Sequence, residues 1–228
     1  MSGFIDSLVA RALTSPDPRA PGARPRLSYA AGVTGPHDQI ARTAAGMLLE
    51  GRRLDTGTLA AELGISRATL FRRAGNRDAI LGEALAHLGA RTLARIQREH
   101  DERPAGAEPA GRLRCLSVSE DFRFALGTAP ALQRLLDEEP AMAIRVLTDP
   151  QGLVHPRMVE AYSALFQRDV DEHGFAPLMP VPLLALAVVR LGESFLYSDV
   201  LAARTPELKT ATTVMDALVT SVLRFDQR

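Results

Sequence analysis

Residues Leu59 to Leu81, LAAELGISRATLFRRAGNRDAIL, limit the fold more sharply than any other stretch of the chain. Their apolar positions repeat at helical spacing, but Gly64 and Gly75 cut the pattern into short pieces. Asp55 and Thr56 can cap a helix over Thr58–Leu63, which Gly64 ends in the left-handed conformation that glycine accepts at little cost. Ser66 can cap the next helix, Arg67 to Arg73, by accepting hydrogen bonds from free N–H groups of its first turn. Gly75-Asn76 punctuates again before a helix that runs from Arg77 through Leu88. Ala60, Leu63, Ile65 and Leu70 give the short pair an inward face too small to be stable by itself. Helices over 37–50 and 77–90 must complete a miniature core around it.

The third of these helices then turns Arg67, Ala68, Thr69, Arg72 and Arg73 outward. An α-helix fits the major groove of DNA, where side chains near its N-terminus reach base edges. Helix N-termini also offer N–H groups to phosphates. Charge follows the same division. Residues 1–82 hold eleven arginines against seven acids, and the rest of this neutral chain carries the opposite surplus. A basic end on an acidic body suits a protein that meets phosphates at one end. An ordinary helical hairpin with solvated arginines is the competing reading.

Elsewhere the chain reads as all-α. Phe4 to Leu13 has the pattern of a short amphipathic helix, and residues 14–36 form an arm rich in proline and glycine whose Arg19, Arg24 and Arg26 are either solvated or near DNA. The polar run 98–111 separates head from body. Stops at 127–130, 148–152, 155–156, 174–182 and 205–206 leave helical segments over 112–126, 130–147, 156–173, 182–202 and 206–225. No strand alternation, internal repeat or nucleotide-binding glycine loop is present. The longest apolar stretch, Val181 to Val189, is far shorter than the roughly 20 residues that span a bilayer. The N-terminal sequence lacks the basic flank and apolar run of a signal peptide, and Cys115 is the single cysteine. These features predict a soluble, cytoplasmic protein without membrane association.

The stretch TLAAELGISRATLFRRAGNRDAIL resembles the DNA-binding head of TetR-family transcriptional regulators. In such heads a small residue and Thr follow the capping Ser, then Leu, an aromatic and a basic helix start; here these are Ala68, Thr69, Leu70, Phe71 and Arg77. The sequence departs at Ala74, where the family usually has an aromatic, and at Arg73, where it often has His. The resemblance implies a three-helix helix-turn-helix head over residues 37–85, after a short helix and arm over 1–36, and an effector-binding, dimerising helical bundle over 86–228. It implies operator contacts from Thr56, Ser66, Arg67, Ala68, Thr69, Phe71, Arg72, Arg73 and Arg77, with Phe71 against the sugar-phosphate backbone. It also favours repression over activation, although the residues themselves decide neither. A finer likeness lies in VVRLGESFLYSDVLAARTPEL, Val188 to Leu208. It is similar to the body of regulators of quorum-signal lactone degradation, which implies an acylated lactone or related hydroxy acid as effector.

In the body, Arg190 and Glu193 share one face of a helix otherwise rich in Leu, Ala, Val and Phe, with Tyr197 one turn beyond. They either pair with each other or meet a ligand. Phe122, Leu126, Met142, Leu165 and Phe166 supply either a pocket wall or plain core. In the last helix Leu208, Ala211, Val214, Met215, Leu218, Val219 and Val222 cover more than one stripe. Leu208, Ala211, Met215, Leu218 and Val222 are the expected homodimer contacts, forming a four-helix interface with the copy of the chain. The rival reading is an enzyme, but His37, His87, His100, His155 and His173 are scattered, with no metal-ligand spacing and no nucleophile motif. The expectation is therefore a DNA-binding regulator without catalysis, metal or cofactor.

Overall fold

The computed structural model describes residues 36–104, 112–201 and 208–221. The expected helix at 4–13 and the arm before Pro36 lie outside them. Ten helices follow in order: α1 (Pro36–Leu49), α2 (Thr56–Glu62), α3 (Arg67–Ala74), α4 (Arg77–Asp101), α5 (Arg114–Gly127), α6 (Pro130–Glu138), α7 (Pro140–Thr148), α8 (Val154–Glu172), α9 (Val181–Leu201) and α10 (Leu208–Ser221). No strand occurs among the described residues, and no helix there is long and apolar enough to cross a membrane.

Local chemistry sets the ends of the head helices. Gly51 and Gly64 take positive φ, 77° and 65°. Each lets the chain fold back so that two late carbonyls of the helix are satisfied. Arg52 N–H reaches Met47 O and Gly51 N–H reaches Leu48 O; Ile65 N–H reaches Ala60 O and Gly64 N–H reaches Ala61 O. Asp55, Ser66 and Asn76 cap the starts of α2, α3 and α4 by accepting from the N–H of Thr58, Thr69 and Ala79. Leu54 and Ile65 precede the first two caps, while Leu59 and Leu70 stand one turn inside. All four join the same core, where such pairs fix how the chain enters a helix.

α4 carries two functions along its length. Ile80, Leu81 and Ala84 close the head core, and Leu93 and Ile96 enter the body core. The expected head–body boundary at 85 and 86 falls inside this helix. The head core also takes in Leu135, Ala143, Val146 and Val154 from α6, α7 and α8, so the head is not closed by its own four helices. Met158 packs against both cores, and a side chain added at Gly89 would meet its Cε at 3.3 Å.

Two expected segments differ. The stretch 130–147 is two helices, because Pro140 has no N–H to continue α6 and instead begins α7. The stop expected at His155-Pro156 is a helix start at Val154, with Pro156 in the first turn, where a missing N–H breaks no bond. Within the body, α5 gains its cap from another helix. Asp169 of α8, fully buried, accepts from Cys115 N–H at 2.6 Å and lies 3.3 Å from the Arg114 guanidinium. Burial pushes the Cys115 thiol up strongly, with the Asp169 carboxylate adding to it, so the thiol stays protonated.

Candidate functional site

α3 is built to display one face. Ser66 Oγ accepts from Thr69 N–H at 3.1 Å and donates to Thr69 Oγ1 at 3.0 Å. Leu70 is its fully buried side chain, whereas Arg67, Ala68, Phe71, Arg72 and Arg73 are exposed and Thr69 is half-buried. Arg67 lies over the Phe71 ring, 5.9 Å from its centroid, with Nη2 3.4 Å from Thr56 Oγ1. Stacking of this kind steadies a long side chain while leaving its guanidinium edge open. Arg72 and Arg73 extend from the last turn, where positive charge suits the helix dipole.

Thr56 and Arg77 stand differently from the expectation. Thr56 is buried under Arg67 at the start of α2. Arg77 is occupied by the body: Nη1 and Nη2 each donate to Glu139 at 2.7 Å and Nε donates to Leu54 O at 3.0 Å. This fork consumes both edges of the guanidinium. Arg53 adds a third bond to Glu139 at 3.1 Å. The hydrogen bonds from Arg77 hold the Glu139 carboxyl below its usual range. Glu139 sits between α6 and α7, so Arg77 braces head to body rather than facing a phosphate.

In the body, Phe122, Leu165 and Phe166 share one core with Tyr162 and Phe175, and Leu126 packs on it. The ring centroids run Phe122–Tyr162 6.2 Å, Tyr162–Phe166 5.8 Å and Phe166–Phe175 5.8 Å. Met142 is not with them; it packs against the head-side core. The expected line of Arg190 and Glu193 is a hydrogen-bonded chain that includes His155. Glu193 Oε1 lies 2.6 Å from Nδ1 of buried His155, and Oε2 accepts from exposed Arg190 at 3.3 Å. The Tyr197 side chain lies outside the described residues.

A polar group that the sequence reading passed over lies among α5, α8 and α10. It comprises Ser119, Arg123, Tyr162, Thr212 and Asp216. Its signal was present: Ser119 and Arg123 are four apart and fall with Cys115 and Phe122 on the buried side of α5.

α10 turns Ala211, Met215 and Val219 inward, at 4%, 2% and 1% exposure. Ala211 and Met215 are therefore not available to a second copy, contrary to expectation. Gly192 of α9 allows this close fit, since an added Cβ would come within 2.9 Å of Met215 Cε. The outer stripe is Thr210, Thr213, Val214, Ala217 and Ser221, with Leu218 half-buried beside it. The Leu208 side chain and Val222 lie outside the described residues.

Residues 110–220 match the family described as tetracyclin repressor-like, C-terminal domain. The transcriptional repressor QsdR of R. erythropolis, from the TetR family, has a similar structure, with a TM-score of 0.71 and 28% identity over 84% of this chain and 97% of that one. Residues 110–220 therefore belong to the tetracyclin repressor-like C-terminal domain family. A second TetR-family repressor, AlkX from Dietzia sp. strain DQ12-45-1b, implicated in biodegradation of n-alkanes, shares the fold at a TM-score of 0.56 and 18% identity, covering 85% of this chain and all of that one. No curated protein sequence matches the chain. Residues 37–85 lie ahead of the matched range.

Proposed function

We propose that this protein is a cytoplasmic, effector-responsive repressor that binds a pseudo-palindromic operator as a homodimer. The observation that carries the reading is α3, where exposed Arg67, Ala68, Phe71, Arg72 and Arg73 and half-buried Thr69 surround a single buried anchor, Leu70. Arg72 and Arg67 supply guanidinium forks for guanine edges or phosphates, Thr69 and Ala68 supply small contacts, and Ser66 N-caps the helix. The outer stripe of α10 around Val214, together with α9, pairs the two copies. An effector enters the body and stabilises a head spacing that fits successive major grooves poorly, which weakens operator binding by linkage. The likeness of Val188–Leu208 to regulators of lactone degradation supports a lactone or its hydroxy acid as effector.

Selection of bound duplexes from a random pool by the purified protein tests this reading. The expected product is a pseudo-palindrome with half-sites about 34–36 Å apart, or a multiple of that. Equal retention of all sequences would remove the regulator reading.

A further inference from the structure

We propose that Arg67 is the side chain of α3 that reads a guanine, and that Thr56 and Phe71 are positioning residues that hold it for that contact. The inference rests on the reading of α3 as the operator-facing helix, and it gives Thr56 a role other than contact with DNA. Arg67 is the first residue of α3 and is exposed, so its long stem swings freely unless something holds it. Two neighbours do. Nη2 donates to Thr56 Oγ1 at 3.4 Å, and Cζ stands 5.9 Å from the centroid of the Phe71 ring. The stem passes the first turn of α2, where Cδ would lie 4.0 Å from a Cβ added at Gly57. Thr56 is only 7% exposed and begins α2, whose start Asp55 caps. The hydroxyl that meets Arg67 is therefore carried on a fixed and largely covered residue.

The clamp leaves a reading edge open. A guanidinium carries five N–H donors around one plane, and guanine O6 and N7 accept from two of them side by side. Phe71 covers a face of that plane and uses no donor. Nη2 has two hydrogens. If the one beside Nε goes to Thr56, Nη1 and Nη2 still present a pair at the end of the fork. If the other one goes, Nε and Nη2 present a pair along its side. Either way one two-donor edge is left for a guanine. An arginine held like this gives up little freedom on binding, whereas a free one must lose rotamers to meet two acceptors at once. Arg72 and Arg73 stand in the last turn, away from the N-terminal residues of a reading helix that reach base edges. They suit phosphates, which position a protein without reporting sequence.

The test is binding of the full-length protein to the duplex it selects from a random pool, and to copies with each G·C pair replaced in turn. Arg67→Ala should abolish the penalty for replacing one G·C pair per half-site, with little change in the salt dependence of binding. Thr56→Val and Phe71→Leu, each checked for folding by circular dichroism, should weaken discrimination at that same pair about three- to tenfold, the cost of ordering one free side chain. Thr56→Ser keeps the hydroxyl and should restore it. If Arg67→Ala instead weakens all duplexes alike and lowers the salt slope by about one, Arg67 is on a phosphate and the proposal fails. Unchanged discrimination in both Thr56→Val and Phe71→Leu would overturn the clamp. So would tighter binding by either, since the clamp would then hold Arg67 away from DNA. Equal losses in Thr56→Ser and Thr56→Val would reduce Thr56 to packing and overturn its role. Failure of the wild type to select any duplex would remove the regulator reading itself, a result distinct from the loss of one penalty.

Discussion

Leu70 and Ser66 illustrate how single residues fix α3. Leu70 is fully buried, and replacing it with Ala should cost about 2–5 kcal/mol of stability, measured by urea unfolding. Ser66→Ala removes the bond from Thr69 N–H and should cost about 1 kcal/mol, with operator affinity falling further because the start of α3 frays. Both roles were legible in the sequence, since a cap and its helix are neighbours along the chain. Arg77 was not legible. A basic residue at a helix start looks the same whether it meets a phosphate or a carboxylate, and its partner Glu139 lies 62 positions away. The same limit hid the use of Glu193, whose partner His155 is 38 positions away.

At the scale of elements, periodicity located nearly every helix but not the break at Glu139. Pro140 stands where an unbroken apolar pattern continues, and the pattern outweighed the missing N–H. That break places Glu139 where it gathers Arg53 and Arg77. Because Arg77 holds the carboxyl low, folding favours its ionised form. The resulting stabilisation is complete above the ordinary glutamate range and is lost as pH falls through the lowered value. Glu139→Gln should therefore make stability less sensitive to pH across that acid window, followed by urea unfolding at a series of pH values. α10 gives a paired test of facing. Helical spacing showed that it carries two stripes but not which one turns inward, because that depends on α9 and the close fit at Gly192. Val214→Glu should leave the fold intact and shift sedimentation toward monomer. Met215→Ala should instead lower stability by about 2–5 kcal/mol with less effect on assembly.

Over the whole molecule, head and body share α4 and a core that draws on α6, α7 and α8. Ion pairs cross the same joint: Arg157 with Glu83 at 3.0 Å, Arg145 with Asp78, and the Arg77–Glu139 fork. A shift of α6 and α7 in the body thus reaches the start of α4, next to α3, through both packing and charge. The all-α architecture was readable from the sequence. The entry of α6, α7 and α8 into the head-side core was not, because it arises from contacts between segments far apart in the chain. The central claim is that α3 reads DNA. It is tested most directly by the affinities of Arg67→Ala and Arg72→Ala for the selected duplex and for a scrambled one at fixed salt. An arginine that reads a guanine should lose about 1–3 kcal/mol on the selected duplex only, whereas one on a phosphate should weaken both alike. Each variant is expected to lose affinity for the selected duplex. Two folded variants that keep wild-type affinity for both duplexes would contradict it.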